Sequence, residues 1–162
     1  MKKIYIIGPP GSGKSTLSKK LSNKYKINNY ELDKVVWDDD HGNIKRAEEE
    51  ILKMFNDIIK TDSWIIEDVG RSKFSEGREQ ADIIYYLKIS KKMAYFRVLK
   101  RWIKQRLGKE QFNHPPTFKQ LLYFLSIVRS YYQNEKNKLA SLQKYNEKLH
   151  YLKKKDIECL LK

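Results

Sequence analysis

Residues 8–16 read Gly-Pro-Pro-Gly-Ser-Gly-Lys-Ser-Thr, and this stretch joins two segments with different hydrophobic patterns. The preceding residues, "KIYIIG", form the short β-branched and aromatic run that is typical of a buried parallel strand. The following residues place Leu17, Leu21 and Tyr25 on one face of a helix. Three glycines at such a junction let the backbone turn sharply and approach a bound group closely, because glycine has no Cβ.

The same stretch satisfies the pattern G-x-x-x-x-G-K-[ST], the signature of a phosphate-binding loop, in the strand-to-helix context where that loop occurs. Lys14 would reach the β- and γ-phosphates of a nucleotide, and the Ser15 hydroxyl would hold Mg²⁺. The expected cofactors are therefore ATP and Mg²⁺. GTP stays open as the donor, although the guanine-reading N-K-x-D is absent. The predicted nucleotide-binding residues are Gly8, Pro9, Pro10, Gly11, Ser12, Gly13, Lys14, Ser15 and Thr16.

Downstream of the loop, strand-like runs alternate with helical patterns. The further strand candidates are "NNYELD", which would end at Asp33, then "SWIIEDVG", "DIIYYLKIS" and "KLHYLKK". This alternation predicts right-handed crossovers and a parallel sheet. We expect a single α/β domain over residues 1–162, with a sheet of about five strands covered by helices on both faces. Its ligands would bind at the carboxyl ends of the strands.

The cysteine content and the lengths of the apolar runs indicate in which compartment the protein is expected. One cysteine, Cys159, excludes an internal disulfide and fits a reducing cytoplasm, and its apolar surroundings predict a buried thiol. The apolar run at the N-terminus is too short for the core of a signal peptide. No segment approaches the roughly 20 apolar residues that a membrane-spanning helix needs. We expect a cytoplasmic protein without a membrane partner, and the sequence sets no oligomeric state.

The net charge of +14 is distributed unevenly. Residues 31–50 hold eight acidic side chains against three basic ones, whereas residues 88–113 hold nine basic side chains against one acidic. The basic segment around residues 91–115 is a candidate lid that would supply cations to phosphoryl transfer. The same charge is open to a second interpretation, binding of nucleic acid through the basic surface.

Several stretches carry a resemblance to known kinases. The loop resembles that of adenylate kinases, although those usually have glycine in place of Ser15. "WIIEDVGR" resembles a nucleoside monophosphate kinase signature. The resemblance implies a functional Arg71, which would bind the acceptor or a phosphate just beyond the end of a strand, and it leaves Glu67 and Asp68 as alternatives for the carboxylate that acts on Mg²⁺. "FRVLKRWIKQR" resembles their lid entry. Over nearly its whole length the chain resembles the adenylate-kinase-like proteins known as DNA topology modulation (FlaR-related) proteins.

The candidate site also includes three arginines of the basic segment, the carboxylate of Asp33 and a further arginine closer to the C-terminus. The resemblance implies Arg97 and Arg101 near the transferred phosphate, while Arg106, displaced from both on the helix, would close down over the site or bind the acceptor. Asp33 would accept a hydrogen bond from an acceptor hydroxyl or orient it for attack. Arg129 lies in the apolar stretch "FLSIVRSYY" and needs a partner if buried, so it would pair structurally or face the acceptor.

Two classes of function follow. The first is ATP- and Mg²⁺-dependent phosphoryl transfer to a small acceptor such as a nucleoside, a nucleotide or a similar metabolite. The acidic segment at residues 31–50 favours a hydroxyl acceptor over a monophosphate at that edge. The second is a DNA topology modulation protein that binds nucleic acid and uses ATP as a switch.

Overall fold

The computed structural model describes residues 2–38, 44–110 and 116–161. Seven strands lie within these ranges: β1 (Lys3–Ile7), β2 (Asn29–Glu31), β3 (Trp37–Asp38), β4 (Ile44–Lys45), β5 (Trp64–Asp68), β6 (Ile83–Leu87) and β7 (Leu149–Leu152). The α-helices that they contain are α1 (Lys14–Tyr25), α2 (Leu32–Val36), α3 (Glu48–Ile59), α4 (Ser75–Gln80), α5 (Lys91–Arg106), α6 (Phe118–Gln133), α7 (Glu135–Leu142) and α8 (Lys154–Leu161).

Five strands form the central sheet, in the order β2-β5-β1-β6-β7. Every neighbouring pair in it is parallel. β1 therefore lies in the middle, and the loop that follows it opens at the carboxyl edge with the segments after β5 and β6 on either side. The prediction of a parallel five-stranded α/β domain is confirmed.

Helices cover both faces of the sheet, because alternate residues of the buried strands point to opposite sides. On one face, Ile4 and Ile6 of β1 pack with Leu17 and Leu21 of α1. On the other face, a larger core surrounds Tyr5, and its further members include Ile7, Ile51, Phe55, Ile66, Phe74, Ile84, Tyr86 and Leu142. The two faces thus hold separate apolar cores, and the buried strands contribute alternate side chains to each of them.

The second strand is shorter than the sequence predicted. β2 ends at Glu31, and Asp33 lies in the first turn of α2 rather than at the end of a strand. The physical reason is the spacing of Leu32, Val35 and Val36, which are buried together on one helical face against the larger core. The antiparallel pair β3–β4 was also not predicted.

The C-terminal part of the chain and the basic segment agree only in part with the predictions from the sequence. The apolar stretch after residue 116 forms two helices, α6 and α7. Of the candidate lid at residues 91–115, residues 91–106 form the single helix α5, whereas residues 111–115 lie outside the described ranges. The prediction of a buried thiol was wrong, because Cys159 is exposed on α8. Within the described ranges, none of the helices combines the length and the apolar character of a bilayer-crossing segment.

Candidate active site

The loop between β1 and α1 has the backbone of an anion cradle. Gly11 and Gly13 adopt φ values of 73° and 97°, in the left-handed region where a side chain would be strained. A Cβ on Gly13 would meet no atom within 4 Å, so the space in front of this residue is open to a ligand. At Gly8 the constraint is packing, since a Cβ there would lie 2.9 Å from the carbonyl oxygen of Leu87 on β6.

Lys14 spans this cradle. Its Nζ donates to the carbonyl oxygen of Pro9 at 3.2 Å, which holds the ammonium across the loop. Burial lowers the pKa of Lys14, whereas the carboxylates of Glu67, Asp33 and Asp68 oppose that shift. The ammonium group of Lys14 therefore lies near three acidic side chains at the carboxyl edge of the sheet. A bound phosphate would add negative charge there and further favour the protonated form of Lys14.

Ser15 and Glu67 form a pair on the α1 side of the sheet. The Ser15 hydroxyl donates to Oε1 of Glu67 at 2.8 Å. Burial raises the pKa of Glu67, against the lowering effect of Lys14 and of the Ser15 hydrogen bond. Its other oxygen, Oε2, is buried and has no hydrogen-bond partner among the described residues, and the same holds for the Ser12 hydroxyl. Two buried polar atoms thus stand unpaired beside the cradle.

Asp68, the next residue on β5, has a different task. Its Oδ2 accepts from the backbone amides of Gly70 at 2.8 Å and Arg71 at 2.6 Å, and its Oδ1 accepts from Nη1 of Arg71 at 2.6 Å. The guanidinium also donates through Nη2 to Asp33. Burial would lower the pKa of Arg71, but the two carboxylates raise it above its usual value. Arg71 therefore bridges two acids from different elements.

The predicted lid arginines separate along α5. Arg97 Nη1 donates to the carbonyl oxygens of Gly11 at 2.9 Å and Ser12 at 3.2 Å, so this arginine holds the loop itself. One turn further, the side chain of Arg101 is 67% exposed and its Nε lies 3.3 Å from Glu110.

Arg106 and Arg129, the remaining predicted arginines, make no hydrogen bond or ion pair with the loop within the described ranges. Arg106 is exposed at the end of α5, with its guanidinium 5.2 Å from the centroid of the Trp102 ring. Arg129 is exposed on α6, so it needs no structural partner. Hydrogen bonds, ion pairs and electrostatic interactions connect the loop with these residues: Lys14, Ser15, Glu67, Asp68, Arg71, Asp33 and Arg97. Among the described residues, Arg101 pairs with Glu110 and Arg106 contacts Trp102 instead.

Two cations at the site were missed from the sequence. Lys138 of α7 donates through Nζ to the carbonyl oxygens of Val69 and Gly70, both at 3.0 Å. Arg78 of α4 is buried and donates to the carbonyl oxygen of Arg71 at 2.9 Å. Neither residue stands in a motif, and Lys138 is 68 residues from its partner Gly70. No local spacing in the sequence carries that information.

The chain shares sequence and fold features with known proteins. Residues 4–113, more than half of the chain, match the model of a family described as AAA domain. Shikimate kinase from Acinetobacter baumannii, solved in complex with shikimate, superposes with a TM-score of 0.57 at 16% identity, over 99% of this chain and 89% of that one. At this identity the likeness concerns the fold.

A gluconokinase from Sinorhizobium meliloti 1021 superposes with a TM-score of 0.46 at 14% identity, over 76% of this chain and 74% of that one. That agreement is too low to support an argument. No curated protein matches the chain by sequence.

Proposed function

Because the chain belongs to the AAA domain family, whose model covers both the phosphate loop and the loop carrying Arg71, we propose that it is a small-molecule kinase. It transfers the γ-phosphoryl group of ATP to a hydroxyl of a small acceptor. The observation that carries this proposal is the pair of ion pairs that link Asp33 through Arg71 to Asp68. Both carboxylates lie close enough to Lys14 to affect its pKa, so these residues would form an acceptor side next to the phosphate loop. The fold shared with a shikimate kinase supports a small-molecule acceptor.

The donor side would work by positioning charge. Lys14 would leave the Pro9 carbonyl and contact the β- and γ-phosphates, while the loop amides hold the remaining oxygens. Arg97 keeps the loop in shape and adds a positive charge behind it. Phosphoryl transfer needs in-line placement and cations far more than covalent chemistry from the protein, so these groups suffice on this side.

Ser15 and Glu67 fit a Mg²⁺ ion. The buried Glu67 Oε2 without a partner is the acceptor that a cation or its bound water would satisfy. The described residues contain no group of three or more acidic, cysteine or histidine side chains that would hold a metal, which suits an ion that keeps waters and nucleotide phosphates as ligands. When bound, Mg²⁺ supplies charge neutralisation for the phosphates. Between the two carboxylates left open by the sequence, we assign this role to Glu67, because Asp68 is committed to Arg71.

The acceptor side would be built on Asp33 and Arg71. The side chain of Asp33 is 62% exposed, so its carboxylate is open to an acceptor hydroxyl that needs to be oriented or deprotonated. Arg71 is held by Asp68 and fixes Asp33 in turn. We therefore propose that Asp33 orients or deprotonates the acceptor hydroxyl, and that Arg71 holds the Asp33 carboxylate in place for this.

The experiment is ADP release from ATP and Mg²⁺ with a panel of nucleosides, nucleoside monophosphates, sugars and sugar acids. One acceptor class is expected to raise turnover well above the basal rate, and Lys14→Ala, purified in parallel, should abolish that stimulation. A stimulation that persists in Lys14→Ala would come from a contaminating kinase. Absence of stimulation by every compound, in a protein that binds ATP, would overturn the kinase proposal.

Nucleic-acid binding is the second candidate, and the observation that favours it is the exposure of Lys100, Lys104 and Lys109. Phe96 and Ile103 are exposed on α5, the helix of Lys100 and Lys104, and would not neutralise phosphates, which keeps this candidate second. The discriminating measurement is duplex binding at rising salt concentration, with the three lysines replaced by glutamine. Affinity that survives physiological salt and depends on these lysines would promote it; affinity that vanishes with modest salt would reject it.

A further inference from the structure

Lys138 is a cation at the acceptor side whose described contacts are neutral. Its Nζ donates to two backbone carbonyls, Val69 O and Gly70 O, each at 3.0 Å. An ammonium group carries three N–H donors, so one remains after these two bonds. Arg71, by contrast, donates to the two carboxylates of Asp33 and Asp68, and its charge is more than balanced.

The position of this amine is built into the fold. Gly70 has a φ of 82°, and a Cβ there would lie 3.3 Å from Ile7 and 3.7 Å from Lys138 Nζ. The positive φ and the close approach to Ile7 favour glycine here, and this backbone sets the two carbonyls on which Lys138 lies. On the other side, the Nζ lies 5.1 Å from the centroid of the Tyr131 ring, whose negative face favours a cation.

Tyr131 is itself anchored in the core. It is buried, and its hydroxyl lies 3.2 Å from the hydroxyl of Tyr86 on β6. Lys138 is therefore held between a fixed aromatic ring and a fixed loop. Burial lowers its pKa, Asp68 raises it, and Arg71, Arg78 and Lys14 lower it further, which places the amine in the same electrostatic environment as the nucleotide loop.

We propose that Lys138 is an anion-binding residue of the acceptor side, and that the acceptor carries a carboxylate or phosphate group in addition to the hydroxyl that receives the phosphoryl group. This inference rests on the proposed kinase function and narrows its substrate class. The acceptor would place its hydroxyl at Asp33 and its anionic group at the remaining N–H of Lys138. A neutral acceptor would leave the remaining N–H of this partly buried ammonium without an anionic partner.

The experiment compares acceptors in matched pairs that differ by one anionic group: a nucleoside with its 5′-monophosphate, and an aldose with its aldonic acid. Each compound is titrated calorimetrically into the protein loaded with a non-hydrolysable ATP analogue, and ADP release is measured separately with ATP. The variants are Lys138→Met, which removes charge and donor, and Lys138→Gln, which removes the charge but can still donate to the carbonyls. Lys136→Met, an exposed lysine on the same helix, is the matched control.

The wild type should bind the anionic member of one pair about 10- to 100-fold more tightly than the neutral one, the range of a single charge-assisted hydrogen bond. That ratio should collapse toward one in both Lys138 variants and persist in Lys136→Met. The pair that shows it identifies a carboxylate or a phosphate. Preference for the neutral members, or a Lys138→Gln variant that keeps the wild-type ratio, would overturn the inference and leave Lys138 as a support of the loop.

The two readouts separate the two proposals. Anion-dependent binding without ADP release would refute the kinase function while supporting the anion site. ADP release with a neutral acceptor, without anion-dependent binding, would support the kinase function and refute the anion site.

Discussion

The two sides of the site are built in different ways. The donor side is nearly continuous in sequence, since residues 8–16 supply the cradle, the lysine and the hydroxyl, with Glu67 and Arg97 as the distant supports. The acceptor side is assembled from separate elements: Asp33 from α2, Asp68 and Arg71 from the end of β5, and Lys138 from α7. In the proposed function, a short local motif would therefore bind the phosphates, whereas recognition of the acceptor would depend on how the whole chain folds. The two sides should be separable by mutation.

The sharpest test of this separation pairs Lys14→Ala with Asp33→Asn. Lys14→Ala should lower turnover by about 10²-fold or more and weaken ATP binding, because it removes a preorganised charge at the phosphates. Asp33→Asn should also lower acceptor-stimulated turnover by about 10²-fold, but leave ATP affinity within a few-fold. The measurements are ADP release and ATP calorimetry without acceptor. A large loss of ATP affinity in Asp33→Asn would show that the two sides are not independent.

The next test compares two arginines one turn apart on α5. Arg97→Ala removes the donor to the carbonyls of Gly11 and Ser12 and should weaken ATP binding about 10-fold, because these loop carbonyls lose a charged hydrogen-bond partner. Arg101→Ala breaks an exposed ion pair with Glu110 and should change it less than about threefold. ATP affinity is measured by calorimetry in both. A loss of about 10-fold with Arg101→Ala as well would restore the resemblance-based assignment of Arg101 to the phosphates.

Glu67→Gln tests the donor side through stability. Burial holds the pKa of Glu67 above its ordinary value of 4.5, so the folded protein binds this proton more tightly than the unfolded chain does. The wild type should therefore lose stability as pH rises from the ordinary to the raised pKa, and the loss should be complete above that window. Glu67→Gln should lack this loss, with a difference of roughly 1 kcal/mol at neutral pH. Urea unfolding of both proteins across the acidic and neutral pH range measures this difference. If the free energies of unfolding of the wild type and Glu67→Gln change in parallel with pH, Glu67 does not have a raised pKa in the folded protein.

The smallest effect is expected at Arg129. Because its side chain is exposed on α6, Arg129→Ala should change the free energy of unfolding by no more than about 0.5 kcal/mol and leave the acceptor KM unchanged. The measurements are a urea midpoint and acceptor titration of ADP release. An increase in acceptor KM would return Arg129 to the acceptor side, where the sequence had allowed it.

The division between the two sides also explains what the sequence could predict. The loop was predicted residue by residue because its geometry depends on glycines and a strand-to-helix junction that are neighbours in the chain. The sheet followed from the same short-range patterns. Asp33 was predicted as a site residue but placed at the end of a strand, because the helical spacing of Leu32, Val35 and Val36 acts only through their burial together.

Glu67 and Asp68 illustrate the remaining limit. Successive residues of a strand point to opposite faces. Glu67 shares the face of Ile65, which packs with α1 and so meets Ser15, whereas Asp68 shares the face of Ile66 and meets Arg71. The sequence shows two adjacent acids but not which helix covers which face. Lys138 was missed for a related reason, since its partners are carbonyls of a loop that any cation could approach.

The hold of Arg97 on the loop has a consequence for how a nucleotide associates. Gly11 and Ser12 are tied to α5 through their carbonyls, and the amide of Ser12 donates to the carbonyl oxygen of Pro9 at 3.1 Å, so groups of the chain itself hold this segment. The conformational entropy of this segment is therefore lost when the chain folds rather than when the nucleotide arrives. Association then requires little rearrangement of the loop, and more of the contact energy is left to appear as affinity.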